Sequence, residues 1–398
     1  MSKLHSLKGR IQNYAWGGHL YIPHLLNIQA EDKPYAEYWL GAHANAPAEL
    51  SDLGQKLDAY IDSDVKGILG EAIASAYGRL PFLFKVLDVN DMLSIQVHPN
   101  KEEAVKGFAK ENELGIPLKA PNRNYKDDNH KPEIMVALSE FWLLHGFLPE
   151  DQLSAILKQT PEFSELIEVF ERESYLGLYK KVMNLSEEES DKILQPLIDR
   201  VLLQFEAGQL EKSSPDYWAA KAYLTFCKDG KLDKGIYSIY FFNIVKLNPG
   251  EAVFQDAGIP HAYIEGQNME LMANSDNVLR GGLTPKHVDV PELLKHVVFE
   301  ATHPNVMKGE LQADRFERIY KCPAPDFQLS KIEISSGDQY QSETKTAEII
   351  IVIDGDAEVS ENGNILKMKK GGSCFLEAGI DYRITSLSTS TMYKATAP

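Results

Sequence analysis

The sequence predicts a mainly β protein with an inserted helical domain, and three observations lead to that prediction. Short apolar runs separated by Gly, Pro, Asn and Asp fill roughly the first 150 residues, a pattern typical of strands joined by turns. Between 151 and 230 the apolar residues recur at helical spacing among charges. From 231 to 398 the strand pattern returns, with one helical stretch near VPELLKHVVF.

The elements follow in chain order from these patterns. The expected N-terminal strands are Tyr35–Leu40, Pro81–Leu87, Met92–Val97, Ile134–Leu138 and Phe141–Phe147. The expected helices are QLSAILKQTPEFSELIEVF (152–170), EEESDKILQPLIDRVLLQF (187–205) and YWAAKAYLTFCK (217–228), the last after the helix start Ser214-Pro215-Asp216. After Lys228-Asp229-Gly230 we expect IYSIYFFNIVKL (236–247) to resume the strands.

An internal repeat organises the second β region. The segment IVKLNPGEAVFQDAGIPH (244–261) aligns without gaps on ILKMKKGGSCFLEAGIDY (365–382) at an offset of 121. A coincidence between two generic hairpins is the simpler interpretation, whereas two copies of one jelly-roll barrel, as in cupins, account for the length of the match. His261 in the first copy aligns with Tyr382 in the second. If His261 binds a metal, the second copy has lost the site.

The predicted fold is therefore two cupin-like jelly-roll β-barrels, the N-terminal one catalytic and the C-terminal one metal-free, plus an inserted helical domain. We expect 1–150 and 231–315 to form the first barrel, 151–230 the helical insertion, and 316–398 the second barrel.

Composition excludes several classes of function. The chain has 41 Lys and Arg against 58 Asp and Glu, a formal net charge of −17, so nucleic acid and anionic membranes are not the expected partners. No apolar run reaches the ~18–20 residues of a membrane span, and the first residues lack the apolar core of a signal peptide; we expect a cytoplasmic protein. Cys227, Cys322 and Cys374 are too far apart for a thiolate zinc site, so His, carboxylate and amide groups must hold any metal.

The segment Ser94-Ile95-Gln96-Val97-His98 contains the first candidate ligands. Side chains two apart share a strand face, which puts Ser94, Gln96 and His98 together on the side opposite the apolar residues. On its own this pattern is also typical of a solvated strand face. Burying these groups without partners costs about 1–3 kcal/mol each.

Two further β segments carry groups that can bind a metal. Glu133 follows Asp127-Asp128-Asn129-His130-Lys131-Pro132 at the mouth of an apolar strand, and His261 shares a strand face with Tyr263. Each segment alone fits a polar loop or a structural histidine. Together, Gln96, His98, Glu133 and His261 form a set of two nitrogens and two oxygens that suits a divalent ion such as Zn²⁺.

Two cationic side chains are candidates for binding an anion. Arg280 precedes Gly281-Gly282 and offers a fixed fork for phosphate or an oxyanion, although it could equally bind loop carbonyls. Lys85 lies within the apolar run FLFKVLDV and needs an anion nearby, either Asp88 or a ligand.

These motifs resemble type I mannose-6-phosphate isomerase (phosphomannose isomerase). The resemblance rests on Tyr125-x-Asp127-x-Asn129-His130-Lys131-Pro132-Glu133, on the strand Ser94/Gln96/His98-Pro99, and on the stretch from His261-Ala-Tyr263 through Glu270 to Arg280-x-Gly282-x-Thr284-Pro-Lys286. It covers almost the whole chain. Two departures stand beside the site, Gly281 where the family usually has Ala and Asn100 where it often has Asp.

The resemblance implies reversible interconversion of mannose 6-phosphate and fructose 6-phosphate through a cis-enediol, with one zinc per chain and a commonly monomeric state. It implies that Gln96, His98, Glu133 and His261 bind the metal. It makes Arg280 an active-site residue, with Lys131 and Glu270 as alternative proton carriers. Ser94, Lys85, Tyr263 and Lys286 are then the substrate pocket. Two alternatives stay open at this point, an Fe(II) cupin oxygenase and a non-catalytic sugar-phosphate-binding module.

Overall fold

The computed structural model describes residues 2–227 and 230–398. The strands are β1 Leu4–Lys8, β2 Arg10–Gln12, β3 Glu37–Leu40, β4 Glu49–Leu50, β5 Gln55–Lys56, β6 Phe82–Val89, β7 Gln96–Val97, β8 Glu133–Ala137, β9 Phe141–Phe147, β10 Phe242–Leu247, β11 Ala252–Gln255, β12 His261–Ala273, β13 Leu279–Arg280, β14 Glu310–Leu311, β15 Glu317–Tyr320, β16 Gln328–Ile334, β17 Gln339–Glu343, β18 Glu348–Asp354, β19 Ala357–Glu361, β20 Asn364–Met368, β21 Ser373–Leu376, β22 Asp381–Ser386 and β23 Ser390–Thr396. The α-helices are α1 Tyr21–Leu25, α2 Leu57–Ser63, α3 Val65–Leu69, α4 Glu71–Tyr77, α5 Lys101–Glu113, α6 Glu150–Gln159, α7 Ser164–Asn184, α8 Glu187–Glu206, α9 Pro215–Phe226, α10 Gly235–Phe241 and α11 Val290–His296. The expectation of a mainly β protein with several helices is confirmed.

The central helical block is confirmed by α6, α7, α8 and α9. Ser186 caps α8 through a reciprocal capping box with Glu189, and Ser214 caps α9 ahead of Pro215 at the first helical position. The predicted turn at 228 and 229 lies outside the described residues. The expectation that 236–247 forms strand throughout is wrong, because α10 covers 235–241 and β10 begins only at Phe242. Every residue of α10 is buried, so its apolar run carries no amphipathic period to distinguish helix from strand.

The N-terminal region contains more helix than its strand pattern predicted. The helices α2, α3 and α4 occupy 57–77, and α5 occupies 101–113. Asp64 and Asn100 accept backbone N–H bonds as the N-caps of α3 and α5. These short helices owe their stability to packing of a few apolar residues, such as Ile68 and Leu69, against the adjoining sheets.

The first large sheet holds the predicted site. Its main path runs β10-β9-β12-β6-β3-β2, while β11 pairs with β8, β13 with β7, and both β7 and β8 pair with β12. Along β6 the side chains alternate. Phe82, Phe84 and Val86 enter the apolar layer toward the C-terminal sheet, so Lys85 and Leu87 face the opposite side, where they line a cavity.

The second large sheet joins the two ends of the chain, in the order β14-β15-β16-β23-β18-β21-β1-β4-β5. Leu4 to Leu7 of β1 lie antiparallel to Leu376 to Ser373 of β21. One apolar layer combines residues of both sheets, among them Phe84 of β6 and Phe375 of β21. A separate layer fills the space between this sheet and the four-stranded sheet β17-β22-β19-β20.

Strand registers reproduce the internal repeat at the same offset of 121. Gln255 lies opposite Glu133 and Leu376 opposite Glu348. His261 lies opposite Gln96 and Tyr382 opposite Ser342. Gly258 donates its N–H to the carbonyl of His98, and Gly379 donates to the carbonyl of Thr344. The positions in the C-terminal copy that correspond to the four predicted ligands are therefore Ser342, Thr344, Glu348 and Tyr382.

Across residues 2–227 and 230–398, no helix combines the length and apolar character that crossing a membrane requires.

Candidate metal centre and adjoining cavity

Three strands bring the predicted ligands to one end of the first sheet. His261, the first residue of β12, lies opposite Gln96 of β7, and Gln96 lies opposite Arg280 of β13. Glu133 begins β8 and pairs with both β11 and β12. Residues far apart in sequence meet here because β12 is long enough to pair with β7 at its start and with β8 further along.

His98, Glu133 and His261 form a compact buried cluster. Nε2 of His98 lies 3.4 Å from Oε1 of Glu133, and Nε2 of His261 lies 3.3 Å from Oε2 of the same carboxylate. One ligand atom from each residue lies within 4.8 Å of the other two. All three residues are at most 3% exposed, so the cluster is withdrawn from bulk solvent.

Backbone carbonyls orient both imidazoles toward the carboxylate. Nδ1 of His98 donates to the carbonyl of Asn277 at 2.8 Å, and Nδ1 of His261 donates to the carbonyl of Ile259 at 2.9 Å. A ring that donates through Nδ1 offers the lone pair of Nε2 to a ligand. Burial lowers the pKa of His98 to about 4, so this ring is neutral at pH 7, as a metal ligand must be.

The cluster fits a divalent cation. Nε2 of His98 has no hydrogen-bond partner among the described residues, and its lone pair faces the Glu133 carboxylate. A tetrahedral zinc ion with bonds of about 2.0–2.1 Å needs ligand atoms about 3.3 Å apart, and the two nitrogen–oxygen distances match that separation. Gln96 lines the same cavity as Glu133 and His261, so its side chain is available as a further oxygen donor.

Lysine and histidine neighbours keep Glu133 charged. Burial by itself would raise the pKa of this carboxyl, but Lys131, His98 and His261 hold the pKa well below its ordinary value. Nζ of Lys131 lies 2.9 Å from Oε1 of Glu133. Lys131 is only 9% exposed, and it lines the cavity beside the cluster.

Lys85 is neutralised by carboxylates that the sequence did not single out for it. Its Nζ donates to Oε2 of Glu270 at 2.9 Å and lies 3.8 Å from Oε2 of Glu37. Of the two anions expected for Lys85, Asp88 or a ligand, Asp88 is wrong, because Asp88 accepts a bond from Gln267 instead. Burial would lower the pKa of Lys85, but Glu270 and Glu37 raise it above its ordinary value. Burial raises the pKa of Glu270 against the opposing effect of Lys85.

These groups line a narrow cavity of about 60 Å³, which has room for the reacting end of a small ligand. Its lining residues are Glu37, Lys85, Leu87, Leu93, Gln96, Lys131, Glu133, His261, Ala262, Tyr263 and Glu270. The hydroxyl of Tyr263 is buried and has no hydrogen-bond partner among the described residues. The structure thus brings together seven of the predicted site residues around one space, and His98 lies outside the lining with its Nε2 3.4 Å from Oε1 of Glu133.

Three predicted residues, Ser94, Arg280 and Lys286, are not part of this lining among the described residues. Ser94 is half-buried just before β7, and Lys286 is exposed on the loop after β13. Arg280 is half-buried and has no ion pair within 2–227 and 230–398. Burial and the charge of Arg280 lower the pKa of Lys286, and Arg280 also contributes to a lowered pKa at Lys126.

Sequence reasoning missed several polar residues of the site. Glu37 lies in the cavity wall, and the only sign of it was a carboxylate inside the apolar run Tyr35–Leu40. His145 lies opposite His261 and Gln255 lies opposite Glu133. Nδ1 of His145 and both amide atoms of Gln255 lack hydrogen-bond partners among the described residues. Nothing in their local sequence distinguishes them from core positions.

The structure accounts for both departures from the expected pattern. Asn100 accepts the N–H of Glu103 as the N-cap of α5, a role in which Asn and Asp serve equally. Gly281 packs against the helical domain, where an added Cβ would lie 2.8 Å from the hydroxyl of Tyr179 and 3.0 Å from Ile95.

Comparison with known proteins agrees with this geometry. Residues 4–150 match the family "Phosphomannose isomerase type I, catalytic domain", and residues 318–385 match "Mannose-6-phosphate isomerase, cupin domain". The chain is 36% identical over 384 residues to the mannose-6-phosphate isomerase of Escherichia coli (strain K12), covering 94% of this chain and 95% of the relative. The Salmonella typhimurium enzyme is 35% identical over 383 residues, with the same coverage.

A solved structure gives the same result. A crystal structure of mannose 6-phosphate isomerase from Salmonella typhimurium, bound to fructose 6-phosphate and zinc, superposes with a TM-score of 0.89 at 33% identity and covers 100% of both chains. The resemblance drawn from the motifs is confirmed: this chain belongs to the type I mannose-6-phosphate isomerase family.

Proposed function

We propose that this protein is a zinc-dependent aldose–ketose isomerase that interconverts mannose 6-phosphate and fructose 6-phosphate through a cis-enediol intermediate. The observation that carries the proposal is the buried His98–Glu133–His261 cluster, which opens onto a cavity containing Lys131 and Glu270. Family membership favours this reaction over Fe(II)-dependent oxygenation and over binding without turnover.

Four residues would hold the zinc ion: Gln96, His98, Glu133 and His261. With the metal bound the set would carry one negative charge, since imidazole binds a metal in its neutral form and Gln96 is an amide. When bound, zinc supplies Lewis-acid polarisation of a substrate oxygen. The carbonyls of Asn277 and Ile259 hold the two imidazoles in place before the ion and the substrate arrive.

Lys131 and Glu270 are the proposed proton carriers. The reaction removes a proton from C2 of the aldose and adds one to C1, while the oxygens exchange a proton. Both residues line the cavity, and each has a buried partner that fixes it, Glu133 for Lys131 and Lys85 for Glu270. The raised pKa of Glu270 makes this carboxylate a stronger base than an ordinary one.

Cations outside the narrow cavity suit the remainder of the substrate. We assign Arg280 to the developing oxyanion or the phosphate, together with Lys286. Lys85, Ser94 and Tyr263 are the proposed contacts for sugar oxygens. Support comes from the absence of an ion pair at Arg280 among the described residues and from the unpartnered hydroxyl of Tyr263. Such a local cluster lets a protein of net charge −17 bind an anionic sugar.

For the architecture we propose two cupin-like barrels with the boundaries given above, and the matching registers at offset 121 support this division. Strand β1 belongs to the first barrel by sequence and to the C-terminal sheet by pairing. We also propose a monomer that acts in the cytoplasm, in line with three free cysteines.

A coupled assay for fructose 6-phosphate tests the function directly. The purified protein should convert mannose 6-phosphate with zinc bound, and Glu133→Gln, which removes the one charge of the ligand set, should lose both zinc and turnover. Oxygen consumption on substrate addition with bound iron, or substrate binding without product, would contradict the proposal.

A further inference from the structure

The C-terminal domain contacts the segment that carries Lys131. Nε2 of His130 donates to Oδ2 of Asp326 at 2.8 Å. Asp326 belongs to the turn between β15 and β16 and is 1% exposed, whereas His130 is half-buried. His130 is its hydrogen-bond partner, so a carboxylate almost fully withdrawn from water is directed at the residue next to Lys131.

The turn that carries Asp326 is itself firmly held. Ala324 and Phe327 are buried in the apolar layer between the two large sheets. The hydroxyl of Tyr320 donates to the carbonyl of Gly250 at 2.9 Å, whereas the hydroxyl of Tyr77 adds only an exposed bond to the carbonyl of Pro325 at 3.0 Å. Asp326 therefore stands at a fixed place relative to the first sheet and is suited to hold another segment.

On its other side, the Lys131 segment is anchored within the first domain. Asn277 donates to the carbonyls of Asp127 and Asn129, and Ser275 donates to the Asp127 carboxylate. Glu133 is fixed by strand pairing in β8. Between these anchors the chain passes through His130 and Lys131, and the Asp326 bond is the contact that fixes His130.

We propose that Asp326 is a positioning residue for the isomerase reaction: by binding His130, it sets the backbone from which Lys131 reaches Glu133 and the cavity. The inference rests on the proposed function and gives the C-terminal domain a part in it. The function of Lys131 depends on this backbone position because its Nζ must stay 2.9 Å from Oε1 of Glu133 while facing the substrate. A displacement of about 1 Å in such a group is enough to lower turnover about 100-fold.

Three variants test the proposal. Asp326→Ala removes the acceptor, Asp326→Asn keeps an oxygen that accepts from His130, and Tyr77→Phe removes the neighbouring interdomain bond to Pro325 without touching His130. We expect Asp326→Ala to lower kcat for mannose 6-phosphate at least tenfold, with KM within twofold and one zinc per chain. Asp326→Asn should recover kcat to within threefold of the unmodified protein, and Tyr77→Phe should leave kcat unchanged.

A second readout does not depend on activity. Lys131, which is 9% exposed, should react with an amine-acetylating reagent several times faster in Asp326→Ala than in the unmodified protein or in Tyr77→Phe, as mapped by mass spectrometry. Unchanged acetylation of Lys131 in Asp326→Ala overturns the positioning role, as does wild-type kcat in that variant. Equal losses of kcat and zinc in Asp326→Ala would also overturn the positioning role, because the contact would then support the fold as a whole and not Lys131 in particular. An inactive unmodified protein whose Lys131 still responds to Asp326→Ala would contradict the proposed function alone.

Discussion

At the scale of single residues, Arg280 is the most informative of the side chains that we propose for the site. It is half-buried, and burial lowers its pKa without any ion pair to offset the loss of solvation among the described residues. A guanidinium placed in this way is costly unless a ligand supplies the missing anion. Its backbone pairs with Gln96, so the charge is tied to the strand that carries a proposed metal ligand.

Replacing Arg280 by Ala should separate metal binding from catalysis. We expect zinc content to stay at one per chain and kcat to fall about 100- to 1000-fold, because in the proposed role Arg280 supplies a preorganised charge to the developing oxyanion. Steady-state kinetics and metal analysis on the same preparation check this. Arg280→Lys is the matched control, since it keeps the charge and loses the fork. Normal turnover of zinc-loaded Arg280→Ala would contradict the assignment.

Gly281 should tolerate Ala better when Tyr179 loses its hydroxyl. The new Cβ would lie 2.8 Å from that oxygen, and overpacking of this kind costs about 1–3 kcal/mol. In a Tyr179→Phe background the closer contact is removed while the contact with Ile95 at 3.0 Å remains, so Ala should cost less than it does beside Tyr179. Thermal unfolding of the two single variants and the double variant measures the coupling. Additive effects would show that Gly281 and Tyr179 do not interact.

The residues of the proposed metal site could be predicted because each is a polar side chain in or directly beside a strand of apolar residues. Gln96 between Ile95 and Val97 is the clearest case. His145 could not be predicted, because β9 is buried along its whole length and shows no alternation. Lys85 was predicted as a buried cation, but its partners were not, since Glu37 and Glu270 reach it from other strands.

At the scale of strands, the registers show that equivalent interior positions of the two copies carry different charged side chains. Glu270 lies opposite Met135, two residues after Glu133, and Lys394 lies opposite Ile350, two residues after Glu348. The position of Glu270 is thus taken by Lys394 in the C-terminal copy. Nζ of Lys394 lies 2.9 Å from Glu317 and 3.7 Å from Glu348. A lysine there supplies positive charge to two buried carboxylates.

Removing the Lys394 ammonium should destabilise the C-terminal strands strongly. Lys394→Met leaves Glu317 and Glu348 buried without a cation, and we expect a loss of about 3–5 kcal/mol in the free energy of unfolding. Urea titration measures it. Adding Glu317→Gln and Glu348→Gln to the same variant should restore most of the loss, because no net charge then remains buried. A change below about 1 kcal/mol in Lys394→Met would contradict this account.

Elements with an amphipathic period were predictable, whereas those without one were not. The helices α6 to α9 show charged and apolar faces in their sequences, and Ser186 and Ser214 mark two of their starts. The helix α10 is buried on all sides, so its sequence does not distinguish it from strand. Short helices such as α3 depend on tertiary packing, which local sequence does not report.

At the scale of the whole molecule, β1 connects the two ends of the chain. His5 of β1 is 3% exposed, and its ring nitrogens lie 2.9 Å from Oδ2 of Asp52 and 3.2 Å from Oε1 of Glu377. Burial lowers the pKa of His5, but Glu377 and Asp52 outweigh it and the net shift is upward. The link between the N-terminal strand and the C-terminal sheet is therefore stronger when His5 is charged.

This link predicts a pH dependence of stability with a definite sign. A histidine whose pKa is higher in the folded than in the unfolded protein stabilises fully below the unfolded pKa of about 6.5, and the contribution is lost as pH rises through the folded pKa. The difference in unfolding free energy between the unmodified protein and His5→Gln should therefore be larger at pH 6 than at pH 9. His24→Gln, at an exposed position, controls for loss of an imidazole. If the difference in unfolding free energy between the unmodified protein and His5→Gln grew with pH, it would contradict the proposed role of charged His5 in joining β1 to the C-terminal sheet.

The sharing of one sheet by both chain ends could not be predicted from sequence. The repeat indicates that β21 is a strand, whereas β1 was not among the expected strands, and pairing of Leu4 with Leu376 depends on the apolar layer that forms between the two sheets. The repeat at offset 121 was readable because sequence similarity persisted. The repeat predicted only some of the residues that replace the site in the C-terminal copy, because Lys394 and Glu348 lie outside the repeated segment.

Zinc quantification combined with activity, before and after chelation, tests the central claim most directly. The account predicts one zinc per chain, loss of mannose 6-phosphate isomerisation in step with loss of zinc, and recovery of both when one equivalent of zinc is restored. Full isomerase activity in protein stripped of metal would contradict it, and so would zinc that stays bound at one per chain after Glu133→Gln.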